Sequence, residues 1–280
     1  YQFFFIIKSM WEYFTPKEIT WYQWRLDGGR AYVRKNGEEW RFAFLAGTYM
    51  DVLPDSGGPE PVEQPGDAEV AFAVGKGKKI ALRPHFAKQP YLITVRNEIR
   101  LLPGAEAHFA VALPPLLRFE LEDGTVLAEK QLFNLSPTWF GDKESGNLCL
   151  SLPLKLDPQC KGEVATLEST DGNTGIDTLS RTSECKSLIH CDIVVRNSTK
   201  NELDLKRLAI FTDLMSIYEH DGMLLGDTVL IDTTSEGGLR MSVDEGAHRS
   251  RKKIHTGNKS GLSELLVRRG MNFLKVIAGM

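Results

Sequence analysis

Apolar and polar residues alternate with a period of two along much of this chain. In LRFELEDGTVLAEKQL, Leu117, Phe119 and Leu121 alternate with Arg118, Glu120 and Glu122 before the chain turns back. SLIHCDIVVRN sets Ile189, Cys191, Ile193 and Val195 on one face, and WYQWRLDGGRAYVRKNGEEWRFAFL reads as three short strands divided by two turns. Successive side chains of a strand point to opposite faces, so this pattern describes strands with one packed side. Asp27-Gly28-Gly29, Asn36-Gly37, Asp123-Gly124, Asp171-Gly172 and Asp221-Gly222 punctuate the segments. Each sets a residue that tolerates positive φ beside glycine, as tight hairpin turns require. The pattern predicts a mainly β fold: antiparallel β-sandwiches with hairpin connections.

Helical signals are confined to the ends. YQFFFIIKSMWEYF predicts a short amphipathic packing helix. The C-terminal SGLSELLVRRGMNFLKVIAGM fits a short helix or a strand, with Gly270 weakening the helical alternative by about 1 kcal/mol relative to alanine. Residues 51–69, DVLPDSGGPEPVEQPGDAE, are rich in proline and acid and predict a flexible linker or insertion. The expected organisation is a helix and first β meander over 1–50, that linker, a first sandwich region over 70–160, and a second β region over 161–280. The last two are compatible with one continuous domain.

Composition changes this picture little. The chain has 280 residues, 34 Lys and Arg against 37 Asp and Glu, and a formal charge of −3, so no global field favours nucleic acid or anionic lipid. Cys149, Cys160, Cys185 and Cys191 match no zinc spacing and are too sparse for a disulfide scaffold, which points to free thiols in the cytoplasm. The run Phe3–Ile7 stops at Lys8, far short of the roughly 20 residues a membrane span needs.

Phosphate-loop, dinucleotide, nucleophile-elbow and zinc-protease motifs are absent, so neither cofactor nor metal is expected. Gly75-Lys76-Gly77-Lys78-Lys79 lies between strand patterns and reads as a glycine-rich hairpin loop. Arg83 and His85 lie two apart on an extended segment, where they share a face and form a candidate anion-binding pair. His190 and Asp192 share a face in the same way. Asp142 and Glu144 follow the aromatic pair Trp139-Phe140, which either anchors a turn or lines a pocket mouth. Arg249, Arg251, Lys252 and Lys253 make the densest basic patch, without aromatic residues in it to stack bases.

Three segments carry a resemblance to a known family: LRPHFAKQPYLITV (82–95), TWFGDKESGNLCLSLP (138–153) and LAIFTDLMSIYEHDG (208–222). Together they resemble an uncharacterised prokaryotic family catalogued as domain of unknown function four-three-two. Its most specific element falls on Phe140, Gly141, Asp142, Gly146 and Cys149. The resemblance implies a bacterial or archaeal cytosolic setting and carries over no catalytic residue. The leading functional expectation is a non-catalytic β-sandwich protein that binds a small molecule or protein partner, in a regulatory role, with homo-oligomers open to it. Its tentative ligand residues are Arg83, His85, Trp139, Phe140, Asp142 and Glu144. One alternative is a hydrolase of a sugar or phosphate ester using the acids of residues 142–147. A weaker one is nucleic-acid binding through residues 248–255.

Overall fold

The computed structural model describes residues 9–26, 29–46, 58–66, 68–131, 135–140, 147–151, 165–166, 186–233, 239–244, 246–248 and 250–258. They are mainly β, and most strand pairs are antiparallel. The first strands are β1 (Trp21–Leu26), β2 (Gly29–Asn36), β3 (Glu39–Ala46), β4 (Glu60–Val62), β5 (Val70–Val74) and β6 (Ile80–His85). Next come β7 (Tyr91–Leu101), β8 (Glu106–Leu113), β9 (Leu116–Leu121), β10 (Val126–Gln131), β11 (Ser136–Phe140), β12 (Asn147–Ser151) and β13 (Ala165–Thr166). The remainder are β14 (Ile189–Arg196), β15 (Leu203–Ile210), β16 (Ile217–His220), β17 (Met223–Gly226), β18 (Thr228–Thr233), β19 (Leu239–Asp244) and β20 (Lys252–His255).

Helix is limited, among the described residues, to two single 3-10 turns, Thr212–Leu214 and Gly246–His248. Where the N-terminal helix was expected, residues 9–20 instead run as a turn and two isolated bridges, Phe14 to Ile80 and Glu18 to Lys35. Residues 1–8 and the C-terminal segment from 259 onward lie outside the described residues. Among the described residues no helix is long and apolar enough to cross a membrane.

The chain divides into two compact units, each discontinuous in sequence. Unit 1 takes residues 1–85, 114–134 and 186–188. It holds a five-stranded sheet ordered β4-β1-β2-β3-β5 and a three-stranded sheet ordered β10-β9-β6. Phe119 of β9 meets Trp24 of β1 edge-on at 5.5 Å between centroids, and Phe42 and Phe44 of β3 at 6.1 and 5.3 Å. Trp24 and Phe119 are fully buried, so aromatic area holds the two sheets together. The Asn36-Gly37 and Asp123-Gly124 turns join β2 to β3 and β9 to β10 as their sequences require, with positive φ at both glycines. By contrast β5 and β6 belong to different sheets, so Gly75–Lys79 crosses between them and is not a hairpin.

Unit 2 takes residues 86–113, 135–185 and 189–280. One sheet is ordered β11-β12-β7-β15; the other runs β13-β8-β14-β17-β16-β20, with β18 and β19 branching from β14. Ile189, Cys191, Ile193 and Val195 are all buried, as their alternation predicts. Strand β14 departs from the antiparallel rule, since it pairs in parallel with β17 at one end and β18 at the other. Between those pairings His190 to Ile193 advances three positions while Leu225 to Val229 advances four. Gly226 and Asp227 therefore form a bulge, and the sheet forks there. A side chain on Gly226 would collide with the Cys191 sulfur. Asp227 is fully buried and accepts a 2.7 Å hydrogen bond from the Ser216 amide.

Candidate functional site

Two polar clusters arise, one in each unit. In unit 1 the antiparallel pairing of β6 with β9 sets Arg83 directly opposite Arg118. Like charges facing across a ladder are destabilising unless each finds a partner, and both do. The Arg83 guanidinium donates to the Trp11 carbonyl at 3.0 Å and lies 5.6 Å from the Tyr13 ring centroid. Arg118 donates to Glu129 at 3.2 Å and contacts His85 Nδ1 at 3.2 Å. Arginine has no acceptor, so Nδ1 accepts and the imidazole carries its proton on Nε2. That nitrogen lies 3.6 Å from Glu120 Oε2. Tyr13 donates to Glu120 Oε1 at 2.6 Å.

Glu120 and Tyr13 are displaced in opposite directions from the neutral range. The neighbouring His85, with the Tyr13 hydroxyl, holds the Glu120 carboxyl down to about 2. Burial, reinforced by Glu120, pushes Tyr13 up to about 12. A general acid or base works best with a pKa near the operating pH, and neither group has one. Arg83 and His85 thus share a face as expected, and the contacts described above join them to Trp11, Tyr13, Arg118 and Glu120.

In unit 2, the aromatic pair on β11 separates. Phe140 is buried and carries the Arg207 guanidinium 5.3 Å from its ring centroid. Trp139 turns outward, 54% exposed, opposite Leu148 at 47%. Cys149 lies buried opposite Thr138 on the inner face. Adjacent residues of a strand must point opposite ways, so one aromatic anchors and the other faces out. Asp142, Glu144, Gly141 and Gly146 lie outside the described residues, as does Arg249.

The second cluster surrounds Tyr218 of β16. His248 packs against its ring at 5.4 Å, and Lys253 Nζ lies 5.2 Å from the ring centroid. Arg251 Nη1 contacts His248 Nδ1 at 2.7 Å, so this imidazole also accepts from arginine. Lys252 pairs with Glu219 at 3.5 Å. On the same face Asp192 is drawn upward by burial, against the pull of His108 and Arg251. His190 is nearly fully buried beside it on β14. His108 is held 2.7 Å from Glu106, which also binds Arg196 at 2.6 Å.

Sequence reasoning missed Glu120, Tyr13, Tyr218 and the companions of His248. Tyr13 and Glu120 are 107 positions apart, and Tyr218 reaches the patch only because β16 pairs with β20. Both contacts depend on pairings that local alternation does not encode. Burial pushes the Cys149 thiol up to about 11 and Cys191 well above its ordinary value, so both are poor nucleophiles. No set of three or more His, Cys, Asp or Glu side chains placed to hold a metal occurs among the described residues.

The chain matches a known protein family over most of its length. The family described as "Protein of unknown function (DUF432)" matches residues 10–271. The chain belongs to DUF432. No curated protein and no solved structure matches it. The DUF432 match runs through both units and includes Phe140, Gly141, Asp142, Gly146 and Cys149.

Proposed function

We propose that this DUF432 chain is a non-catalytic β-sandwich protein that binds a small anionic ligand at the Tyr218 face of unit 2. The observation that carries this reading is the packing of Lys253 and His248 on one buried aromatic ring, with Arg251 held against His248. Arg251 and Lys253 bring two cations to this face, the kind of group that recognises a phosphate or carboxylate. Tyr218 is only 2% exposed beneath His248 and Lys253. Its ring has no open face on which a nucleobase could stack, which favours a small anion over a nucleic-acid strand. In unit 1, Glu120 and Tyr13 are displaced too far from neutrality to serve as the general acid or base of a hydrolase. A regulatory role in a prokaryotic cytoplasm completes the proposal.

Calorimetric titration with inorganic phosphate and pyrophosphate tests it. Binding should weaken at least about tenfold in an Arg251→Ala/Lys253→Ala variant and fall with added salt. Absence of binding to either anion, or equal binding by that variant, would overturn the reading.

A further inference from the structure

The two edges of the five-stranded sheet of unit 1 are unlike. At one edge β4 spans only Glu60–Val62 and contains Pro61, which has no amide hydrogen to offer a partner. The other edge is β5, whose sequence VAFAV has no charge, glycine or proline. Val70, Phe72 and Val74 share one face and are 43%, 73% and 71% exposed. Natural sheets protect their edges with short strands, prolines and charges, and β5 carries none within its length.

The backbone fixes which groups of β5 are open. The Gly75 amide donates to the Glu38 carbonyl at 2.9 Å, so by alternation Ala73 and Ala71 also bond toward β3. The N–H and C=O groups of Val70, Phe72 and Val74 consequently point away from the sheet. No described strand pairs with that side.

We propose that β5 pairs antiparallel with β5 of a second copy, about a two-fold axis at Phe72, to form a homodimer. Three observations select this occupant and register. VAFAV reads the same in both directions, so a two-fold at Phe72 matches Val70 with Val74 of the other copy and Phe72 with itself. All three outward-pointing residues then meet as hydrogen-bonded pairs, giving about six new backbone bonds. The charges agree as well. Glu69 precedes the strand and Lys76, Lys78 and Lys79 follow it, so antiparallel pairing sets unlike charges side by side where parallel pairing would oppose like ones. Because the pairing uses the open edge of both copies, assembly closes at two.

Sedimentation velocity on the full chain, over a roughly hundredfold concentration range, tests this. The wild type should show a reversible monomer–dimer equilibrium with no larger species. Phe72→Lys and Phe72→Glu should each be monomeric, because the two-fold sets like charges against each other. An equimolar mixture of the two should dimerise again. Phe72 is exposed, and an unchanged thermal transition would show that both variants fold. A wild type monomeric throughout, growth beyond the dimer, or a Phe72→Lys variant that still dimerises would overturn the proposal. Monomeric variants whose mixture does not associate would overturn the register at Phe72.

Discussion

Glu120 joins the N-terminal arm to a sheet through one carboxylate: Tyr13 on one oxygen, His85 beside the other. Its side chain is 18% exposed, so solvent screens these contacts only in part. The carboxyl is held at about 2 against an ordinary value of 4.5. A depressed carboxyl contributes its stability above the unfolded-state pKa, and that contribution is lost as pH falls from about 4.5 toward 2. Glu120→Gln should therefore cost on the order of 2–3 kcal/mol at pH 7. The difference from wild type should shrink steadily below pH 4.5, as measured by denaturant unfolding at several pH values. An unchanged difference at pH 3 would show that the carboxylate charge contributes nothing.

At the scale of elements the decisive feature is the fork at Gly226-Asp227. The Asp227 carboxylate binds the Ser216 amide across to the segment entering β16, and its other oxygen has no hydrogen-bond partner among the described residues. Asp227→Ala should leave a buried amide unpaired and cost about 1–3 kcal/mol, whereas Asp227→Asn keeps an acceptor and should cost less. Thermal unfolding of the two variants side by side checks this. How far such elements are legible in sequence depends on the range of the contact. The Asn36-Gly37, Asp123-Gly124 and Asp221-Gly222 turns are local, and Asp221 and Gly222 both take the positive φ their types permit. The burial of Leu117, Phe119 and Leu121 follows from alternation in the same way. The pairing of β6 with β9 is different, because two strands of unit 2 intervene in the chain and no local pattern records the match. Arg83 and His85 were readable as neighbours on one face; Arg118, Glu120 and Tyr13 as their partners were not. Trp139 and Phe140 form an inside–outside pair because they are adjacent on a strand, while the glycine and acids that follow them read locally as a turn.

Across the whole molecule each unit is assembled from separated stretches of chain. Strands β8 and β9 lie in different units although only Pro114 and Pro115 separate them. A chain ended after residue 185 lacks β14, which pairs with all eight residues of β8, from Glu106 to Leu113. That fragment should pass to the insoluble fraction to a much greater extent than the full chain, as fractionation after expression would report; a soluble, cooperatively unfolding fragment would contradict it. The same threading has a consequence for the nascent protein. At general synthesis rates of about 5–20 residues per second, β14 is completed roughly 4–17 s after β8. For that interval the apolar stretch from Phe109 to Leu113 waits on its main partner. A cell making this chain thus has a timed window in which a holding chaperone, or slower translation after Leu113, would alter the yield of native protein.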